Sequence, residues 1–381
     1  MKDKAAMNKK VFLKTFGCQM NVRDSEFVAG LLVNSGYRLA DSINNADVII
    51  FNSCSVRAHA EERLFNNIWQ LKKLKLKKPQ LIIGVMGCTA QSYKEKMLEN
   101  IPLVDFVCGP GNESDMPEIL KDIIKNGCAV VAVDKVHEKK KEANPEYRDN
   151  NIKAFVSIGE GCNNFCSYCI VPYVRGRERY RDIEDIISEV ESLARRGFKE
   201  VMLLGQNVNS YKDTRHKTQD TSFVRLLEKL NDIKGIKFIR FMTSHPKDAS
   251  RELFEAIGRL KKVDKRLHLP LQSGSDRILK LMNRGYTQKK YIELVKLFKK
   301  LVPGGSVTTD IIIGFPSETK KDFNETLKTI KRCGFEGGFV FKYSHRPPAR
   351  ASLLKDNVSK EEKERRHEEA LQALKRGVKN A

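Results

Sequence analysis

The sequence predicts two α/β units in series: a doubly wound parallel sheet, then an open, partial (β/α)6 barrel. Residues 10–133 alternate short β-branched runs with amphipathic stretches. A second alternation, six strand–helix repeats over about 190 residues, begins near residue 153. Between them lies DKVHEKKKEANPEYRDNN (134–151), highly charged with one proline, which suits a linker. Strand–helix alternation with short loops favours parallel strands, because each crossover returns the chain in the same direction. Six repeats are too few to close an eight-stranded barrel.

In the first unit, strands are expected at 11–16 (VFLKTF), 47–51 (DVIIF), 81–86 (LIIGVM), 104–107 and 129–133 (AVVAV). Helices are expected at 24–35, 57–76, 90–99 and 115–125, where apolar residues recur at helical spacing. In the second unit, the strand runs are 153–158, 199–205, 237–242, 267–271, 307–313 and 338–343. Helical stretches such as 183–196, 249–260 and 287–301 separate them. A charged amphipathic helix is expected at 359–376, with Ser359 and Glu362 spaced as a capping box. The expected domains are 9–133, a linker at 134–151, a barrel at 152–345 and a helical tail at 346–381.

Seventy Lys and Arg stand against 48 Asp and Glu, a formal charge of +22. Such an excess concentrates polyanions, of which nucleic acid is the commonest. No run approaches the 18 or more apolar residues of a membrane span, and the basic start is not followed by a secretory apolar core. A cytoplasmic protein is expected, and its nine cysteines then point to metal or redox chemistry rather than disulfides.

Three cysteines, Cys162, Cys166 and Cys169, form a C-x3-C-x2-C triplet directly after a strand. That places them at the carboxyl end of a parallel sheet, where α/β folds bind ligands. Three thiolates hold three corners of a [4Fe–4S] cube and leave one iron open, which suits binding and reductive cleavage of S-adenosylmethionine (SAM). Zinc is the alternative, but structural zinc usually takes a second cysteine pair, and none is present nearby.

Cys18, Cys54 and Cys88 are 36 and 34 residues apart, and each directly follows a strand: KTFGC, IIFNSC and GVMGC. In a parallel sheet those loops emerge on one edge, so the three thiols converge there. Gly17 and Gly87 leave room for a bulky ligand. Cys108 occupies a similar position, whereas Cys128 and Cys333 are expected in the core.

With these residues in view, the chain resembles the methylthiotransferase family of radical SAM enzymes, and within it the branch acting on isopentenylated tRNA. TFGCQMNVRDSE (15–26), GCNNFCSYCIVPYVRGRER (161–179), LLGQNVNSY (203–211), HLPLQSGS (268–275), MNRGYT (282–287) and TTDIIIGFPSET (308–319) carry the resemblance. It implies a flavodoxin-like first domain and a (β/α)6 barrel. It also implies an auxiliary [4Fe–4S] cluster on Cys18, Cys54 and Cys88, and a SAM-cleaving cluster on Cys162, Cys166 and Cys169. The implied reaction converts N6-isopentenyladenosine at position 37, in the anticodon stem-loop of tRNA, to its 2-methylthio derivative. It needs a low-potential electron donor and a sulfur donor. The alternatives are a threonylcarbamoyladenosine tRNA or a ribosomal protein as substrate, or a non-catalytic iron–sulfur protein that binds RNA. Two departures stand out: Ser344 is followed by HRPPAR, and the chain stops where the family's RNA-binding TRAM domain is expected to begin.

Around the barrel cluster, Tyr168, Gln206, Asn207, Gln272, Asp310 and Gly314 are candidate SAM contacts, since they lie in the cysteine loop or at strand ends. Arg175, Arg177, Arg179 and Arg181 alternate after that loop and are candidate phosphate contacts. His245 and His268 are expected to be hydrogen-bonded structural histidines.

Overall fold

In the computed structural model, the residues described are 8–56, 58–133, 147–148, 150–213 and 222–379. The chain divides into two units, Met1–Asn151 with Val171–Arg177, and Ile152–Ile170 with Glu178–Ala381. Most of the expected linker lies outside the described residues.

Among its described residues the first unit holds six strands: β1 (Lys10–Phe16), β2 (Arg38–Leu39), β3 (Val48–Ser53), β4 (Ile82–Met86), β5 (Phe106–Cys108) and β6 (Val130–Ala132). They pair in parallel in the order β2-β1-β3-β4-β5-β6. Its helices are α1 (Gln19–Asn34), α2 (Ala58–Gln70), α3 (Lys72–Lys77), α4 (Cys88–Tyr93), α5 (Glu95–Asn100), α6 (Met116–Asn126) and, from the later segment, α7 (Val171–Val174). Helices cover both faces of the sheet. Leu64 and Ile68 of α2 pack with Ile49 and Phe51 on one side. Phe27 and Leu32 of α1, with Ile119 and Leu120 of α6, pack with Val48 and Ile50 on the other. All six residues of β3 are consequently buried, as a central parallel strand requires. The chain leaves β1 toward β2 on one side and returns to β3 on the other. The crevice between the carboxyl ends of β1 and β3 is therefore the topological switch point, where open sheets of this order bind ligands.

Several elements differ from the sequence expectation. The two-residue strand β2 is too short to leave a periodic signal. Helix α1 starts at Gln19, five residues before the expected start, because Cys18 in extended conformation takes the N-cap. The stretch 57–76 is two helices meeting at Leu71. The stretch 90–99 is also two, separated by Lys94 at φ 51°, a left-handed residue that no helix continues through.

In the second unit, β7 (Lys153–Ser157), β10 (Glu200–Leu204) and β11 (Phe238–Phe241) form one parallel sheet, and a short antiparallel pair joins β8 (Gly159–Glu160) to β9 (Arg179–Tyr180). The strands β12 (Arg266–His268), β13 (Ser306–Ile313) and β14 (Gly337–Lys342) form a second parallel sheet. A parallel bridge between Ile239 and Val263 links the two, so six parallel strands follow one another around an open barrel. Its helices are α8 (Ile183–Arg195), α9 (Ser222–Asp232), α10 (Arg251–Arg259), α11 (Asp276–Leu281), α12 (Gln288–Leu301), α13 (Lys320–Cys333) and α14 (Lys360–Lys379). Helix α10 is typical. Ser250 caps it by accepting from Leu253 N–H, and Leu253, Phe254 and Ile257 face the core. Each such buried side chain contributes about 1.5–3 kcal/mol of transfer free energy.

The terminal helix α14 builds onto the barrel. Ala370 and Leu374 join the core, and Arg366 donates to Glu318 Oε2 at 2.7 Å. At its start, Ser359 Oγ accepts from Glu362 N–H at 3.2 Å. Among the described residues, no helix is long and apolar enough to cross a membrane.

Candidate functional site

The carboxyl edge of the first sheet gathers the three thiols whose spacing drew attention. Cys18 caps α1 after β1, Cys54 follows β3 across the switch-point crevice, and Cys88 opens α4 after β4. The turns that present them are tight. A Cβ at Gly17 would stand 2.7 Å from Cys54 Cβ, and one at Gly87, where φ is +87°, would stand 2.3 Å from Asn52 Oδ1. Two asparagines brace the turns. Asn21 Oδ1 accepts from the Cys18 amide at 3.3 Å, and Asn21 Nδ2 donates to Asn52 Oδ1 at 2.9 Å. Asn52 Nδ2 in turn donates to the Asn21 carbonyl and to Ser25 Oγ.

Electrostatics at this edge are uneven. A hydrogen bond from the Cys54 thiol holds Cys18 down to about 6; burial opposes the shift, and the Arg175 guanidinium adds to it. The same bond, with burial, pushes Cys54 up. Burial raises Cys88, against the pull of Arg175. Arg175 itself is buried, donating from Nε to Cys88 Sγ at 3.2 Å and from Nη2 to Asp24 Oδ2 at 2.6 Å.

In the barrel unit, Cys162, Cys166 and Cys169 lie on the loop after β8, closed by a turn in which Cys169 N–H donates to the Cys166 carbonyl at 2.9 Å. The segment Met282–Arg284 clasps this loop. Ser167 N–H donates to the Met282 carbonyl, and Asn283 Nδ2 donates to the carbonyls of Asn164 and Phe165. Arg284, only 5% exposed, donates from Nη1 to Cys166 Sγ at 3.4 Å and to Tyr168 Oη at 3.3 Å. Its remaining nitrogens reach Pro270 O and Tyr286 Oη. Phe165, Thr243, Gln272 and Asn283 all take positive φ in the loops around this rim. Such strain in non-glycine residues concentrates at functional sites.

Each set offers three thiols, the number that leaves one iron of a four-iron cube open. Among the described residues, no group of three or more His, Cys, Asp or Glu side chains is gathered closely enough to share one metal ion. A four-iron cube instead takes each thiolate on a different iron. At the barrel rim, Asn207 Oδ1, Ser244 Oγ, His245 Nε2 and Asp310 Oδ1 are buried and make no hydrogen bond among the described residues. Buried polar atoms of this kind need partners, and a zwitterionic ligand such as SAM supplies them.

The candidate SAM residues are distributed unequally. Asn207 donates from Nδ2 to Asp248 at 2.7 Å, and Asp310 Oδ2 meets His268 Nε2 at 3.3 Å, which leaves Asn207 Oδ1 and Asp310 Oδ1 as the orphaned acceptors. Gln206 gives its Oε1 to Gly161 N–H, so it shapes the cysteine loop. Gln272 holds φ +64° while its backbone bonds Asp310 and Ile312. Gly314 donates its N–H to Glu318 Oε2 at 2.7 Å, and a Cβ there would stand 2.4 Å from Lys363 Cγ.

The arginine run is exposed only in part. Arg175 and Arg181 are buried rather than presented to phosphate, because Asp24 and Glu189 neutralise them inside. Arg179 is half-buried and lies 3.7 Å from Glu160, while Arg177 is exposed. Cys333 is buried as expected, but Cys128 is exposed, in the turn after α6. His268 bonds Thr308 and Asp310. His245 accepts from Lys247 N–H, and its other ring nitrogen is among the orphaned atoms. Sequence reading did not single out Asn21, Asn52, Asp24 or Arg284. A signal for two of them was present in C-x2-N at 18–21 and in MNRG at 282–285.

Comparison with known proteins agrees with this geometry. Residues 156–330 match the family model described as the radical SAM superfamily, and residues 10–109 match that of the uncharacterized protein family UPF0004. The chain is 47% identical over 363 residues to the tRNA-2-methylthio-N(6)-dimethylallyladenosine synthase of Thermoanaerobacter pseudethanolicus, covering 94% of this chain and 76% of that protein. The protein of the same name from Clostridium perfringens is 45% identical over 375 residues, covering 98% and 83%. Among solved structures, the radical SAM methyltransferase TsrM of Kitasatospora setae aligns with a TM-score of 0.65 at 13% identity, over 91% of this chain and 75% of that one. The cobalamin-dependent radical SAM enzyme OxsB aligns at 0.60 and 15% identity, over 94% and 56%. At such identities these two structures speak for the fold alone.

Proposed function

Since the chain belongs to the radical SAM methylthiotransferase family of the tRNA-2-methylthio-N(6)-dimethylallyladenosine synthases, we propose that it adds a methylthio group to C2 of N6-isopentenyladenosine at position 37 of tRNA. The observation that supports this most is the pair of thiol triplets, each at the carboxyl edge of its own parallel sheet. Cys162, Cys166 and Cys169 would hold a [4Fe–4S] cluster with an open iron, which would supply the electron that cleaves SAM. Cys18, Cys54 and Cys88 would hold a second cluster, where the inserted sulfur would be carried.

The side chains then have definite tasks. Arg284 and Asn283 keep the cysteine loop in one conformation. Burial first, then Arg284 and Lys247, bring His245 down to about 2, so its ring is neutral at working pH. Because Nδ1 accepts from Lys247, the ring proton sits on Nε2, a donor suited to the SAM carboxylate. Asn207 Oδ1 and Asp310 Oδ1 are acceptors suited to its ammonium group. Tyr168, its hydroxyl anchored by Arg284, lends its ring for stacking on adenine, and Gln272 lines the same rim. Turnover draws on a low-potential electron donor and a sulfur donor in the cytoplasm.

On the tRNA side, Arg177 is the exposed member of its run and is assigned to a phosphate. Arg177→Ala should weaken tRNA binding and lower the slope of log affinity against log salt by about 1. Filter binding across a salt series reads this, and an unchanged slope removes Arg177 from the contacts.

The function itself is tested in a bacterial strain whose tRNA carries isopentenyladenosine but no methylthio group. Expression of this chain should restore the methylthio nucleoside. A methylthio group on threonylcarbamoyladenosine or on a ribosomal protein instead would reassign the substrate.

A further inference from the structure

Arg175 presents a question that phosphate binding does not answer. Its side chain is 2% exposed, and its Asp24 partner is fully buried. Burying a guanidinium is strongly unfavourable unless charge and hydrogen bonds compensate it. Here the compensation comes from Asp24 on α1, less than two turns from Cys18, and from a thiol ligand of the proposed cluster. Arg175 also acts electrostatically on Cys18. The chain reaches this place through α7, which packs against α4, the helix that begins with Cys88. The result is a buried cation in contact with the Cys88 thiol and paired with the buried Asp24 carboxylate.

We infer that Arg175 and Asp24 set the reduction potential of the cluster held by Cys18, Cys54 and Cys88. Arg175 raises the potential through its charge and its bond to Cys88 Sγ, and Asp24 fixes the guanidinium and limits the rise. Reduction adds a negative charge to a cube already carrying three thiolates. A neighbouring cation therefore favours the reduced form, and hydrogen bonds to the cysteine sulfurs act in the same direction. The low effective dielectric of a buried site makes such a charge count for more there than at the surface. Arg175 is thus a positioning and tuning residue and does not touch the tRNA.

This inference rests on the reading that the first unit binds a cluster, and the test separates the two. The parent is the full chain with Cys162, Cys166 and Cys169 replaced by alanine, reconstituted anaerobically so that iron is confined to the first site. An EPR-monitored redox titration gives its midpoint. If the parent retains no four-iron cluster, the reading of the first site fails and the inference falls with it. With the cluster present, Arg175→Gln should raise the oxidised-to-reduced ratio at fixed potential about tenfold, a downward shift of about 59 mV for a one-electron couple. Arg175→Lys, which keeps the charge, should recover most of that shift. Asp24→Asn should move the midpoint upward. Should Arg175→Gln lose its iron, Asp24→Asn decides alone: an upward shift supports the inference. A midpoint unmoved by every substitution that retains iron overturns it and leaves the pair a structural clamp.

Discussion

In Cys166→Ala, 5′-deoxyadenosine formation from SAM falls at least about 100-fold, while the iron held by the first unit remains. The cause lies in the geometry of the loop. Cys166 is the buried middle member of its triplet, and Arg284 donates to its sulfur. Alanine removes one corner of the cube and leaves that donor aimed at a methyl group. Two thiolates remain, fewer than the three that hold a SAM-binding cluster. Iron per chain should drop from about eight to about four. Product chromatography after reduction with dithionite, together with iron analysis, reads both numbers. Undiminished 5′-deoxyadenosine would place SAM cleavage elsewhere in the chain.

Cys54→Ala is expected to give the complementary result. SAM cleavage continues at the barrel site, but sulfur insertion into tRNA is lost. Cys54 follows β3 at the switch-point crevice, across from Cys18 after β1. Its loss removes one of the three thiols at that edge. The separation of the two activities is the informative part. Methylthiolation at the parent rate would reject a second cluster at this edge, and simultaneous loss of SAM cleavage would indicate a folding defect rather than a missing ligand.

Much of this was legible in the sequence because it rests on local pattern. Buried parallel strands such as VIIFNS read as largely apolar runs, and a cysteine directly after each of three strands implies convergence at one sheet edge. What sequence could not provide is tertiary pairing. The alternating arginines resembled a solvated or phosphate-binding face. Arg175 and Arg181 are instead internal, because Asp24 lies 151 residues away and Glu189 on the following helix. Arg284 reaches Cys166 across 118 residues, and periodicity carries no trace of that contact. Local breaks were also missed. Lys94 adopts positive φ within an otherwise helical pattern, and β2 is two residues long. Cys128, expected in the core from its type, sits exposed beyond Gly127, the left-handed residue that ends α6.

If the two thiol triplets serve one reaction, a single chain installs the methylthio group on isopentenylated tRNA. The most direct test is nucleoside mass spectrometry on isopentenylated tRNA incubated anaerobically with cluster-reconstituted protein, SAM, sulfide and a low-potential reductant. The expected result is 2-methylthio-N6-isopentenyladenosine, with 5′-deoxyadenosine released alongside it. Formation of 5′-deoxyadenosine without any methylthio adduct on that nucleoside would contradict the assigned substrate.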